Sequence, residues 1–112
     1  MNNRVYIIKC RLENNQGFIY KIGKSSGKNS VDRMMQLIRS FFMNYRYTPI
    51  FEIKRDRPCE NAFAIETQLH QDFRSCKYYH DKKIDGANEW FYVPREDLLL
   101  QRYDELLPLG KK

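Results

Sequence analysis

Two short segments near the amino terminus constrain the fold of this chain more than any other feature. Val5-Tyr6-Ile7-Ile8 and Tyr20-Lys21-Ile22-Gly23-Lys24 are rich in β-branched and aromatic residues, and Asn14-Asn15-Gln16-Gly17 lies between them. Such side chains suit a pleated, half-buried surface, and a polar turn ending in glycine lets the chain reverse. Residues 4–11 and 18–24 therefore read as an antiparallel hairpin.

The rest of the chain alternates between the two periods of regular structure. After a polar loop, Ser25 to Asn29, Ser30 is placed to cap a helix over about 31–45, with Asp32 in its first turn. Val31, Met34, Met35, Ile38, Phe41, Phe42 and Tyr45 form an i, i+3, i+4, i+7 stripe that predicts the core-facing side. Pro49 leads into a third strand, Ile50-Phe51-Glu52-Ile53, and a second helix is expected from about Glu60 to Ser75. A polar, basic stretch with an Asp85-Gly86 turn then runs to Asn88, and Glu89-Trp90-Phe91-Tyr92-Val93 reads as a short strand. Pro94 opens a last helix to about Leu107, which Pro108 and Gly110 end. No repeat, linker or low-complexity tract interrupts the 112 residues, so they make one domain, with its core over 4–93 and a terminal helix over 94–107. The expected class is α+β: a small, three-stranded, largely antiparallel sheet flanked by about three helices.

Composition bears on partners. No run approaches the roughly 18 apolar residues of a membrane span, and Met1-Asn2-Asn3-Arg4 leads straight into a strand without the pattern of a signal peptide. The cysteines number three, an odd count that suits a reducing compartment, so a cytoplasmic protein is expected. A formal charge of +6 favours a polyanionic partner. The basic residues cluster as Lys21, Lys24 and Lys28, as Lys54, Arg55 and Arg57, and as Lys77, Lys82 and Lys83. The last group is interleaved with Tyr78, Tyr79 and His80, which suits a nucleic-acid strand as well as it suits a solvated loop.

Glu66 is the most informative single residue. On a helix advancing about 100° per residue, with Ala62 at zero, Ile65, Leu69 and Phe73 fall near roughly 300°, 340° and 20° and Glu66 near roughly 40°. A carboxylate inside the apolar stripe needs an arginine, a lysine, hydrogen-bond donors or a metal ion beside it. His70 stands one turn further along the same flank, where it suits metal ligation, phosphate contact or proton transfer, or else simple packing. Tyr6 reads as a core tyrosine; to act as a base its phenol would need a nearby cation, and Lys21 is the candidate. Measured from Val31, Arg33 points near roughly 200°, away from the stripe, towards solvent or towards a phosphate in a cleft. Cys59, His70, Cys76 and His80 lack the paired spacing of a zinc knuckle.

Taken in order, the strand tyrosine Tyr6, the second strand ending Lys21-Ile22-Gly23, the helix arginine Arg33 and the later Glu66 resemble the GIY-YIG nuclease superfamily. The run Glu66-Thr67-Gln68-Leu69-His70-Gln71-Asp72-Phe73 together with Glu89-Trp90-Phe91 is similar to its phage-associated branch. The resemblance implies a three-stranded antiparallel sheet with flanking helices and DNA cleavage with one divalent cation, Mg²⁺ or Mn²⁺. It implies that Tyr6 orients or deprotonates the attacking water, that Arg33 stabilises charge on the phosphate and that Glu66 binds the metal. Lys21 and His70 are expected to join them, with Lys24, Lys28, Lys77, Lys82 and Lys83 on the nucleic acid. Arg4-Val5-Tyr6 replaces Gly-Ile-Tyr, and Lys21 stands where the second motif has tyrosine. Tyr20 is one step earlier, so without a bulge it faces the other way, and it is expected only as a supporting residue behind the site. The family's late asparagine is matched by Asn88, or its role is taken by Glu89. The expectation is a metal-dependent DNA endonuclease of phage type, and the alternative is a nuclease-fold module that binds nucleic acid or regulates without cutting.

Nucleic-acid binding is expected to weaken steeply with salt. Changing Lys82 and Lys83 together to alanine should flatten the slope of log K against log salt by somewhat under about 2. A titration over several salt concentrations checks this, and an unchanged slope moves the binding face towards Lys24 and the hairpin.

Overall fold

The structure, a computed structural model, describes residues 3–12, 17–26, 30–46, 49–79 and 89–108. The turn residues Asn14, Asn15 and Gln16, the Asp85-Gly86 turn, and Lys28, His80, Lys82, Lys83 and Asn88 lie outside the described residues. Strands β1 (Arg4–Arg11) and β2 (Phe18–Ser25) form the hairpin, paired antiparallel from Arg4 opposite Ser25 to Arg11 opposite Phe18. Gly17 closes it at φ 96°, a conformation glycine adopts without steric cost, and its carbonyl accepts from the Leu12 N–H at 2.8 Å.

Helix α1 (Val31–Tyr45), strand β3 (Phe51–Pro58), helix α2 (Ala62–Asp72), a 3₁₀ turn (Arg74–Cys76), strand β4 (Trp90–Phe91) and helix α3 (Glu96–Leu106) come next along the chain. The sheet has four strands, not three, in the order β3-β1-β2-β4, all antiparallel. The fourth is only Trp90-Phe91, which pairs with Lys21 and Tyr20. Two residues carry little periodicity, which is why the segment reads in sequence as an extended piece without a fixed place. The third strand is also longer than expected. A bulge at Lys54, where Ile7 and Ile8 face Arg55 and Ile53, resets the alternation and lets a charged stretch continue the ladder.

Both faces of the hairpin are covered, so β1 reads as a continuous apolar run rather than an alternating one. On one face Val5, Ile7, Tyr20 and Ile22 pack with Ala62, Leu69, Phe91, Leu99 and Tyr103 under α2 and α3. On the other, Tyr6, Ile8, Cys10 and Ile19 pack with Leu37, Phe41 and Trp90 under α1. The sequence stripe of α1 is therefore rotated from its expected position. Leu37 and Phe41 are buried, whereas Val31, Met35 and Phe42 are largely exposed. Taking Leu37 as zero, Arg33 falls near roughly −40°, on the sheet-facing side, not on the solvent side.

Ser30 does not cap α1 with its own side chain. Its hydroxyl and its backbone N–H both donate to Asp56 Oδ2 at 2.8 Å, while Arg4 Nε donates to Asp56 Oδ1 at 2.6 Å. A carboxylate from β3 thus sits at the start of α1, where the helix dipole favours negative charge. The basic cluster of Lys54, Arg55 and Arg57 is also occupied internally. Arg55 and Arg57 hold Asp104 of α3, and Lys54 pairs with Glu52 and Glu96. Among the described residues, no helix is long and apolar enough to cross a membrane.

Glu96 ties α3 to the sheet. It accepts from Tyr20 Oη at 2.8 Å and pairs with Lys9 at 2.6 Å and Lys54 at 3.2 Å. Partial burial works against its charge, but the hydrogen bonds from Lys9, Tyr20 and Lys54 outweigh it and lower its pKa to about 2. A carboxyl held below its unfolded value stabilises the fold above that value and loses the contribution as pH falls through the folded one. Glu96→Gln should therefore destabilise at neutral pH by about 1–3 kcal/mol, with the gap to the parent closing towards pH 2. Urea denaturation across that range checks it.

Candidate active site

The site lies on the α1 face of β1 and β2, at the end where β4 leaves β2 uncovered. Strand parity places Tyr6 of β1 and Lys21 and Gly23 of β2 on this face, with Tyr6 directly opposite Gly23. That pairing explains the glycine. A Cβ at position 23 would lie 2.5 Å from the Tyr6 hydroxyl oxygen and 2.7 Å from Cζ. Any other residue would push the ring away. Tyr20, one step earlier, lies on the opposite face against Glu96, so it takes no part here.

Tyr6 is completely buried, and Arg33 Nε donates to its hydroxyl at 3.4 Å. Arg33 comes from the sheet-facing side of α1, and its guanidinium also donates to Gln36 Oε1. The cation acting on the phenol is thus Arg33, where the sequence pointed to Lys21. The phenol pKa is nevertheless raised: burial outweighs the Arg33 hydrogen bond and charge, and Glu89 and Glu66 push the same way. A neutral, oriented hydroxyl is the form this pocket favours.

Lys21 is completely buried and forms an ion pair with Glu89, which is next in sequence to β4. Burial lowers the lysine pKa, opposed by the charge and hydrogen bond of Glu89. Residue 89 of the two candidates for the late motif position is therefore the one that reaches the site within the described residues. Glu66, 6% exposed, projects from α2 into the same cluster. Burial raises its pKa to about 7, with the Glu89 charge adding to the effect, the charges of Lys24 and Lys21 opposing it, and a hydrogen bond shared with Glu89 favouring the protonated form. Its Oε2 is buried with no hydrogen-bond partner among the described residues.

His70 does not point its chemistry at this cluster. Its Nε2 is 2.8 Å from the Ile22 carbonyl oxygen, which it meets as donor in that tautomer, and its ring lies 5.1 Å from that of Phe91. It pins α2 to β2 and thereby sets the reach of Glu66. Lys24 is exposed near Glu66, and Lys77 is half-buried in a bridge to Phe91. Asp56, which sequence reasoning left unmarked, positions the start of α1 and hence Arg33. No local pattern signals it, because its partners are Ser30 and Arg4 in distant segments.

The arrangement combines a cation and a phenol on one side with two carboxylates on the other. Among the described residues, no group of three or more His, Cys, Asp or Glu side chains is placed to hold a metal ion. Glu66 and Glu89 still fit a hard divalent cation, since Mg²⁺ keeps several waters and commonly takes one or two carboxylates. The buried Oε2, without a hydrogen-bond partner among the described residues, is compatible with that fit. The family model of the T5orf172 domain matches residues 3–103, a span that contains every residue of this cluster. No curated protein and no solved structure matches the chain.

Without divalent cations, the raised Glu66 pKa has a thermodynamic consequence. Its folded value exceeds the ordinary 4.5, so its contribution is present below that value and lost as pH rises through about 7. Melting curves from pH 5 to pH 8 in EDTA should show the parent losing on the order of 1–3 kcal/mol more than Glu66→Gln. Parallel curves would mean that Glu66 titrates in the ordinary carboxylate range.

Proposed function

The chain belongs to the T5orf172 domain family, which is phage-associated and related to the GIY-YIG nucleases, and from that membership we propose that it is a metal-dependent DNA endonuclease. The observation that carries the reading is Glu66: a buried carboxylate with one oxygen that has no hydrogen-bond partner among the described residues, beside Glu89 and within the electrostatic reach of Tyr6. Glu66 and Glu89 would hold one Mg²⁺ or Mn²⁺. When bound, the ion supplies charge stabilisation at the phosphate and acidifies water.

The remaining steps fall to the chain's own residues. Arg33 offers a planar, multi-donor cation to the phosphate oxygens, where charge grows as the phosphodiester is attacked. The Tyr6 hydroxyl, whose neutral form burial favours, positions water or a phosphate oxygen. Lys21 keeps Glu89 in place through the buried ion pair. Lys24 supplies positive charge at the outer edge of the site, towards the strand to be cut.

One observation favours a second reading, a module that binds nucleic acid without cutting. Burial and the neighbouring charge of Glu89 favour the neutral form of Glu66 without a metal ion. A plasmid-nicking assay with Mg²⁺ or Mn²⁺ against an EDTA control separates the two readings. The expected result is metal-dependent nicking that Glu66→Gln abolishes and Arg33→Ala reduces by about 10²–10³. Lys21→Met is expected to lose about tenfold or more. Wild-type rates in Glu66→Gln would remove Glu66 from the metal. Binding without nicking in any divalent cation would support the second reading.

A further inference from the structure

Phe63 is the most exposed aromatic ring on α2, at 71% relative exposure. Burying that ring would release water from a large apolar surface, yet the fold leaves it open. It is not an isolated surface residue. Lys24 Nζ lies 6.0 Å from the ring centroid, and the charge of the same lysine acts on Glu66. With about 100° per residue, Phe63, Glu66 and His70 fall within roughly 60° of one another along one flank of α2. Phe63 thus stands one turn before the carboxylate, on the side from which Lys24 reaches it.

The ring also borders a hollow of about 390 Å³ lined by Asn3, Lys24, Glu60, Asn61 and Phe63. Ala62 and Ala64 complete its wall, and the aromatic, charged and amide groups each have a counterpart in a nucleotide. An aromatic face stacks on a base whatever its identity, and an ammonium group meets phosphate. Asparagine amides both donate and accept, and a carboxylate accepts from exocyclic amino groups. A paired base in a duplex exposes its edges but keeps its faces covered by its neighbours, so only an unstacked base can use the ring.

We propose that this hollow seats an unstacked nucleobase next to the scissile phosphate, with Phe63 as its stacking platform and Lys24 on its phosphate. The substrate class is then DNA with an unpaired nucleotide at the cut site, either a single strand or a distorted duplex. The proposal rests on the reading of Glu66 and Arg33 as the site of phosphodiester chemistry, but its test is made on binding, so the two can fail separately.

The experiment uses a short single-stranded oligonucleotide carrying one 2-aminopurine, and the same strand fully paired, in EDTA to prevent cleavage. The full chain should bind the single strand more tightly than the duplex and quench the 2-aminopurine fluorescence. Phe63→Ala should weaken single-strand binding by about tenfold or more and abolish the quench, with little effect on the duplex. Phe63→Trp should restore both, and unchanged thermal midpoints confirm that these variants fold. Lys24→Ala should weaken both ligands alike and lower the salt slope by somewhat under about 1. Equal affinity of Phe63→Ala and the parent for the single strand overturns the proposal, as does a failure of the parent to bind either ligand. Loss of a dimer in Phe63→Ala, seen by sedimentation with nucleic-acid binding intact, assigns the ring to a second copy of the chain and overturns it too. If these binding results hold but no metal supports nicking, the endonuclease reading fails and the base seat stands.

Discussion

A lysine with no access to water, in a central strand of the sheet, dictates how the site is assembled. Lys21 lies between Ile8 of β1 and Trp90 of β4 in the ladder, where an unpaired ammonium would cost several kcal/mol. Glu89 removes that cost, and in doing so it anchors the chain immediately before β4. From there Trp90 turns into the α1 face, where it meets the Phe41 ring at 5.7 Å, and Phe91 turns into the α2 and α3 face. One ion pair therefore links the hairpin, the short fourth strand and both layers of the core. It also leaves Glu89 beside Glu66, which couples the two carboxylates through their charges.

The same economy governs the other side of the site. Tyr6 needs a flat surface across the ladder, and Gly23 provides it. The phenol needs a partner for its hydroxyl, and Arg33 provides one from α1. Arg33 in turn depends on how α1 starts, which Asp56 sets by holding Ser30 and Arg4 together. The bulge at Lys54 makes this possible. Without the extra residue, Asp56 would point to the α3 face and Arg55 and Arg57 to the α1 face. With it, the arginines reach Asp104 and the carboxylate reaches Ser30.

The basic character of the chain divides along the same lines. Lys54, Arg55 and Arg57 hold α3 against the sheet, so their contribution to the net charge does not mark a nucleic-acid surface. Lys24 remains exposed at the edge of the site, between Glu66 and the Phe63 ring. A count of positive residues cannot separate these uses, because both produce the same composition.

Much of the architecture was legible in the amino-acid order alone. The hairpin strands, the extent of α1 and the placement of Glu66 in an apolar stripe come from side-chain periodicity and turn chemistry, which act within a few residues. The one-residue offset of Tyr20 has the same origin, since strand parity is a local rule. What only the tertiary structure decided involves partners far apart in the chain. The α1 stripe carries more apolar residues than one face can bury, and packing against the sheet chose Leu37 and Phe41 over Val31, Met35 and Phe42. That choice turned Arg33 inward to Tyr6. Likewise, a lysine at position 21 is compatible with a solvated strand end or a buried pair, and only the return of the chain at Glu89 selects the second. Local rules set which elements form, while the pairing of buried charges across some seventy residues of chain set which of their side chains meet.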